Sequence, residues 1–166
     1  MNTKTVPTAQ DIMETRVQTV DPEMGLIDVV ACLLKHEVSN APVVKREGKN
    51  RRLLGFISEG DCLEFLANEL FYGNPSPPQT ARTIMKMHPI CVEPDKDLFT
   101  LTSIFTSHRY RHLPVVEREN LLGIVSRRDV LRSLDDYYGD WINMKDHERF
   151  PVDVHQIMNH RFLVSG

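Results

Sequence analysis

The residues best placed to do chemistry are two serine–aspartate pairs of equal spacing, Ser58 with Asp61 and Ser126 with Asp129. Each follows a short apolar run, residues 53–57 or 121–125. A serine followed three residues later by an acid is a capping box. The hydroxyl accepts from a backbone amide near the acid, and the acid reaches back to the serine amide. Such a cap contributes about 1 kcal/mol and needs no ligand. The same place also suits an anion. A helix N-terminus is partly positive and presents N–H groups to a phosphate. An aspartate there offers acceptors to two ribose hydroxyls, and the preceding apolar strand can wall a base.

Charge distinguishes the two turns. Arg127 and Arg128 follow Ser126, and Arg109, Arg111 and His112 precede the Pro-Val-Val run of that half. The other half has Glu59 and Gly60 at its turn, and Ser39 and Asn40 before its strand. Phosphate recognition needs donors and positive charge. The Asp129 turn is therefore the better expected site for a phosphate, with the Asp61 turn empty or holding a less charged compound. For any single arginine the competing reading is a solvated helix face.

Other chemistries find little support. His108 and His112 are spaced for one helix face, but Arg109, Tyr110 and Arg111 lie between them and oppose a cation. No metal is expected. No Gly-x-Gly-x-x-Gly or Walker-type loop occurs, and no cysteine has an evident base arrangement. Asp135-Asp136 reads as a solvated helix end rather than a catalytic pair. Nothing argues for an enzyme. A net charge of -3 gives no reason to expect nucleic acid or an anionic membrane. No apolar run reaches membrane-span length, and the first ten residues lack a secretory apolar segment. Cys32, Cys62 and Cys91 are far apart and odd in number. They read as buried thiols in a reducing cytoplasm.

The elements that position the turns come twice. Ala9-Gln10-Asp11-Ile12-Met13 returns 72 residues on as Ala81-Arg82-Thr83-Ile84-Met85. The same offset carries Val20-Asp21-Pro22 to Val92-Glu93-Pro94, and Pro42-Val43-Val44 to Pro114-Val115-Val116. From Leu53 to Leu121 the offset becomes 68, so the first repeat holds four extra residues. They fall in a charged stretch, 45–52, that reads as a hairpin loop. Each repeat predicts β-α-β-β-α. A short strand at 17–20 or 90–92 leads to a helix with Pro22 or Pro94 at its first position. Leu26, Ile27, Val30, Leu33 and Leu34 form the apolar stripe of the first helix. Leu63, Phe65 and Leu66 are the apolar positions of the helix after Ser58. The predicted organisation is motif 1 over 8–72, a Pro-rich linker at 73–79, motif 2 over 80–136 and a tail over 137–166. Two stacked repeats sharing a core would bury what neither can alone. In the tail, Gln156-Ile157-Met158-Asn159-His160 echoes the Ile-Met heads and reads as a third head folding back.

With these motifs in view the chain resembles the CBS-domain family. The carriers are Ile12-Met13 and Ile84-Met85, then Asn40-Ala41-Pro42-Val43-Val44 and His112-Leu113-Pro114-Val115-Val116. The strongest are Gly55-Phe56-Ile57-Ser58-Glu59-Gly60-Asp61 and Gly123-Ile124-Val125-Ser126-Arg127-Arg128-Asp129. The resemblance covers roughly four-fifths of the chain. It implies an α/β fold of tandem pseudo-symmetric βαββα repeats forming one CBS pair (a Bateman module), often dimeric. It also implies AMP, ADP, ATP or S-adenosylmethionine in clefts between the motifs, and regulation of another protein. That partner would be a separate chain, since no catalytic or transport domain is attached.

Carried over residue by residue, the resemblance makes Asp129 and Asp61 the ribose ligands, with Ser126 and Ser58 near the phosphates. It walls the Asp129 cleft with Ile124, Val17, Gln18 and Val38, and sets Arg111 and His112 toward its phosphates. Phe56, Ile90 and Tyr110 wall the Asp61 cleft. The alternative is a ligand-free structural or dimerising module in which both turns are only caps. Tyr137, Tyr138, Trp141 and Phe150 would then offer an aromatic partner patch.

Overall fold

In the computed structural model, which describes residues 5–73 and 77–147, the two repeats fold alike. The first contains α1 (Ala9–Ile12), α2 (Leu26–Lys35), β1 (Asn40–Glu47), β2 (Asn50–Ser58) and α3 (Glu59–Tyr72). The second contains α4 (Ala81–Ile84), β3 (Lys86–Met87), α5 (Leu98–Ser107), β4 (His112–Glu117), β5 (Asn120–Ser126) and α6 (Arg127–His147). The sheet runs β1-β2-β5-β4, with β3 also on β2. β1–β2 and β4–β5 are antiparallel hairpins that meet at Arg52 opposite Asn120. The Arg51 amide donates to Asn120 Oδ1 at 2.7 Å there, and its guanidinium donates to the carbonyls of Leu121 and Leu122.

The leading strands shrink to single parallel bridges, Val20 to Val43 and Val92 to Val115. A proline turn follows each at once, which leaves the ladder no room to grow. Pro22 and Pro94 are not the first helical residues either. They occupy turns closed by Met24 N to Asp21 O and Lys96 N to Glu93 O, where proline's fixed φ suits the second position. The caps come later, at Gly25 and Asp97. Asp97 Oδ1 accepts from Phe99 N and Thr100 N, each at 2.9 Å, a cap that outranks a proline start.

The extra residues of the first repeat add two rungs to its hairpin, Lys45 opposite Arg52 and Arg46 opposite Arg51. Adding two per strand preserves which side chains face the core. The shorter hairpin turns through Arg118 and Glu119 at φ 48 and 67. Two left-handed residues in a two-residue turn favour Asn-Gly. Arg118→Asn with Glu119→Gly is expected to raise stability by about 1 kcal/mol in urea unfolding. Loss of the exposed Arg52–Glu119 pair offsets little of that gain.

The repeats exchange their heads. Ala9 N and Gln10 N donate to the carbonyls of Lys96 and Pro94, while Ala81 N and Arg82 N donate to those of Met24 and Pro22. Ala81 and Ile84 thereby join Val20, Val29, Leu33, Val43 and Ile57 in the first repeat's core. The helix stripes are centred differently from the sequence reading. α2 buries Leu26, Val29 and Leu33, while Ile27 and Leu34 are exposed. α3 buries Cys62 and leaves Leu63 exposed, with Phe65 and Leu66 packed against the core. In α2 every residue but Asp28 and Lys35 is apolar, so apolar spacing alone does not fix its inner face. The thiols also differ. Cys62 is buried and Cys32 half-buried, but Cys91 is exposed.

The chain divides into two compact units, Met1–Ser133 and Leu134–Gly166. In the second unit the rings of Tyr138 and Trp141 stack with centroids 5.8 Å apart. Phe150, the Ile-Met echo and residues 74–76 of the linker lie outside the described residues. Among the described residues no helix is long and apolar enough to cross a membrane.

Candidate functional site

Both serine–aspartate turns form complete capping boxes. Ser58 ends β2 and caps α3. Its amide and hydroxyl donate to Asp61 Oδ2 at 2.8 and 2.6 Å, and Asp61 N donates back to Ser58 Oγ at 3.3 Å. Ser126 ends β5 in the same way. Its amide donates to Asp129 Oδ2 at 2.8 Å, its hydroxyl to the same oxygen, and Asp129 N returns to Ser126 Oγ at 3.2 Å. The next amides also match, with Glu59 N on Ser39 O and Arg127 N on Arg111 O. Each cap uses one carboxylate oxygen. At Asp129 the second oxygen has no hydrogen-bond or ion-pair partner among the described residues, and at Asp61 it pairs with Lys86 Nζ at 3.0 Å. Capping and ligand binding are therefore compatible at one aspartate.

Each aspartate borders a cleft completed by the other repeat. A cleft of about 350 Å³ holds Ser126, Asp129 and Ile124 against Glu14, Arg16, Val17, Gln18, Glu37, Val38, Ser39 and Asn40 of the first repeat, with His112. One of about 370 Å³ holds Phe56, Ile57, Ser58 and Asp61 against Lys86, Pro89, Ile90, Arg109, Tyr110, Arg111, His112 and Pro114 of the second, with Asn40. Both volumes suit a small nucleoside ligand. The head strands set this pairing. Glu14 and Ile124 exchange both backbone hydrogen bonds, at 2.9 and 3.0 Å, and β3 runs beside Gly55 and Phe56.

The predicted walls come together in these clefts: Ile124, Val17, Gln18 and Val38 in one, Phe56, Ile90 and Tyr110 in the other. The arginines do not collect where the sequence put them. Arg109 and Arg111 line the Asp61 cleft, not the Asp129 cleft, and Arg127 and Arg128 are exposed and line neither. The segment before β4 crosses to the opposite turn, so neighbours in sequence serve different clefts. Lys86, Glu14, Arg16 and Glu37 escaped the sequence reading. Their signal was present, since Glu14 and Lys86 occupy matching positions 72 residues apart.

His112 and Asn40 are also a matched pair. They meet between the clefts, Asn40 Nδ2 lying 2.9 Å from His112 Nδ1. Burial holds the His112 ring below the usual histidine value, helped by Arg111 and Arg127 and opposed by Asp129. A neutral ring protonated on Nε2 accepts that bond. His108 instead ends α5 and packs its ring on Tyr110. Among the described residues no three His, Cys, Asp or Glu side chains group as a metal site.

Asp61 titrates below the usual carboxylate value. Burial pushes it up, but hydrogen bonds from Ser58 and Lys86 together with the Lys86 charge outweigh that. A depressed carboxyl binds fewer protons folded than unfolded, so its stabilisation is present above about pH 4 and is lost as pH falls through the folded value. In acid unfolding, Asp61→Asn is expected to flatten the pH dependence of stability below about pH 4. An unchanged profile would remove Asp61 as its source.

A family model for the CBS domain matches residues 9–68 and 81–136. The chain belongs to the CBS-domain family, and its α/β fold is that of a CBS pair. Uncharacterized protein MJ1426 of Methanocaldococcus jannaschii is 30% identical over 154 residues, covering 75% of this chain and 89% of that protein. The A-adding tRNA nucleotidyltransferase of Aquifex aeolicus is 27% identical over 125 residues, covering 75% of this chain; the chain spans only 14% of that enzyme's length. Among solved structures, CBSX2 in complex with AMP matches with a TM-score of 0.68 and 25% identity, over 80% of this chain and 98% of that one. The CBS pair of protein MJ0100, in complex with 5′-methylthioadenosine and S-adenosyl-L-methionine, shares the fold with a TM-score of 0.64 and 21% identity, over 80% of this chain and 99% of that one.

Proposed function

We propose that this chain is a non-catalytic regulatory module of the cytoplasm that binds an adenosyl ligand between its two CBS motifs and signals metabolite state to a partner protein. The observation that carries this reading is the paired clefts. Each sets a cap aspartate beside an apolar wall, and Asp129 keeps one carboxylate oxygen unengaged among the described residues. That oxygen suits a ribose diol, which donates two hydrogen bonds to a charged acceptor. AMP, ADP, ATP and S-adenosylmethionine are the candidate ligands, and the AMP complex of the similar CBSX2 supports the choice. At Asp61 the ribose hydroxyls take the place of Lys86, whose side chain is 78% exposed and returns to water, so the buried carboxylate exchanges one partner for another.

The readout is a homodimer. Leu63 and Leu131 are matched exposed residues on α3 and α6, and Ile27 is exposed on α2. Apolar side chains repeated on both halves suit a self-complementary interface. A ligand bridging the repeats favours one relative arrangement and shifts the population toward it.

Calorimetric titration with the four ligands tests the reading. The wild type is expected to bind at least one at micromolar level, and the Asp61→Ala/Asp129→Ala double variant none. Absence of binding by a folded wild type would leave the turns as caps and the chain as a ligand-free interaction module. Unchanged sedimentation and small-angle scattering at saturating ligand would remove the switching step alone.

A further inference from the structure

The repeat allows the two clefts to be compared position by position. Glu14 of one cleft corresponds to Lys86 of the other, Glu37 to Arg109, and Ser39 to Arg111. The cap bonds are the same in both, so the aspartates do not distinguish the clefts. Charge does. The Asp129 cleft sets three carboxylates, Glu14, Glu37 and Asp129, against Arg16. The Asp61 cleft sets one carboxylate against Lys86, Arg109 and Arg111. Among the described residues neither Arg109 nor Arg111 forms an ion pair, so both charges remain available to a ligand.

We propose that the clefts select different ligands. The Asp61 cleft takes a phosphorylated adenosine, and the Asp129 cleft takes an adenosyl compound that lacks phosphate and carries positive charge. This rests on the reading that the clefts bind adenosyl ligands at all. A phosphate monoester near neutral pH carries about -1.5 to -2 charge. In the Asp61 cleft it meets two guanidinium groups able to bond it in a bidentate manner. Ribose hydroxyls on Asp61 release Lys86 to the same anion. In the Asp129 cleft a phosphate would meet Glu14 and Glu37, and like charge held close together rejects the wrong ligand. A sulfonium or ammonium group gains from those two carboxylates.

The assignment reverses the one drawn from sequence, because the basic residues near the Asp129 turn in the chain do not line its cleft. It also makes the module a two-input device, with one cleft responding to a phosphorylated nucleotide and the other to a cationic one.

The test is calorimetric titration of the full chain with AMP and with S-adenosylmethionine, singly and together. AMP is expected to bind one per chain, to be lost in Asp61→Ala and kept in Asp129→Ala. S-adenosylmethionine is expected to show the opposite pattern, with no competition between the two. The exposed pair Glu14→Lys/Glu37→Arg gives a gain of function that does not touch either cap. It should bring AMP to two per chain and weaken S-adenosylmethionine at least tenfold, on the order expected for reversing charges within several ångströms. Competition between the two ligands, or loss of AMP in Asp129→Ala alone, would overturn the proposal. If both ligands fill both clefts, selectivity fails while adenosyl binding stands. If the folded wild type binds neither, adenosyl binding fails and the proposal with it.

Discussion

Gly123→Ala is expected to destabilise the protein by roughly 2–3 kcal/mol, the upper range for forcing one methyl into a packed site. A Cβ at Gly123 would lie 2.7 Å from Met13 Sδ and 2.8 Å from Glu14 O. The thioether can rotate away, but the carbonyl is held by Ile124 N. Gly55 is the counterpart, with Met85 Sδ and Lys86 O both at 2.7 Å. Each glycine lets the Ile-Met head of one repeat lie on the hairpin of the other, which is why the two motifs occur together. With total stabilities of about 5–15 kcal/mol, such a loss should lower the unfolding midpoint by several degrees or more. Gly139 in α6 provides the control, since nothing lies within 4 Å of its added Cβ. Gly139→Ala should be neutral or stabilising by up to about 1 kcal/mol. Equal effects at Gly123 and Gly139 in urea unfolding would rule out head exchange as the reason for the signature glycine.

Saturating AMP should stabilise the folded chain by about 2.7 kcal/mol at a concentration one hundred times its Kd, by mass action on a ligand that binds only the native state. That should appear as an unfolding midpoint higher by several degrees. The double variant Asp61→Ala/Asp129→Ala should show no AMP-dependent shift. Two charge-assisted hydrogen bonds to ribose represent about 3–6 kcal/mol, enough to move micromolar binding beyond the range of the assay. A shift of equal size in the double variant would place the nucleotide away from the cap aspartates. Because removing Asp61 also removes part of the α3 cap, each protein must be compared with itself, with and without AMP.

Much of the fold was legible because the chain states it twice. The Ser-x-x-Asp caps, the Pro-Val-Val strands and the hairpin insertion follow from local chemistry and a fixed offset. The apolar walls Val17, Val38, Ile124 and Phe56 come instead from the resemblance to the CBS-domain family. The residues by themselves do not show the pairing across the repeat axis; the resemblance supplies it for the walls but not for the arginines. Arg109 and Arg111 are near Asp129 in the chain, yet they line the cleft of Asp61. Only head exchange, a tertiary event, settles which segment faces which turn. Helix phase was hidden for a different reason. Ile27 and Leu34 are as apolar as Leu26 and Leu33, and periodicity alone cannot show which face a neighbour covers. Pro22 misled because proline serves a turn as readily as a helix start.

A crystal structure of the protein grown with saturating AMP tests directly whether the cap aspartates hold the nucleotide. Ribose hydroxyls are expected on the Asp61 carboxylate, the base against the apolar wall, and the phosphate on Arg109 and Arg111 with Lys86 released from Asp61. Nucleotide bound away from both aspartates would contradict that role.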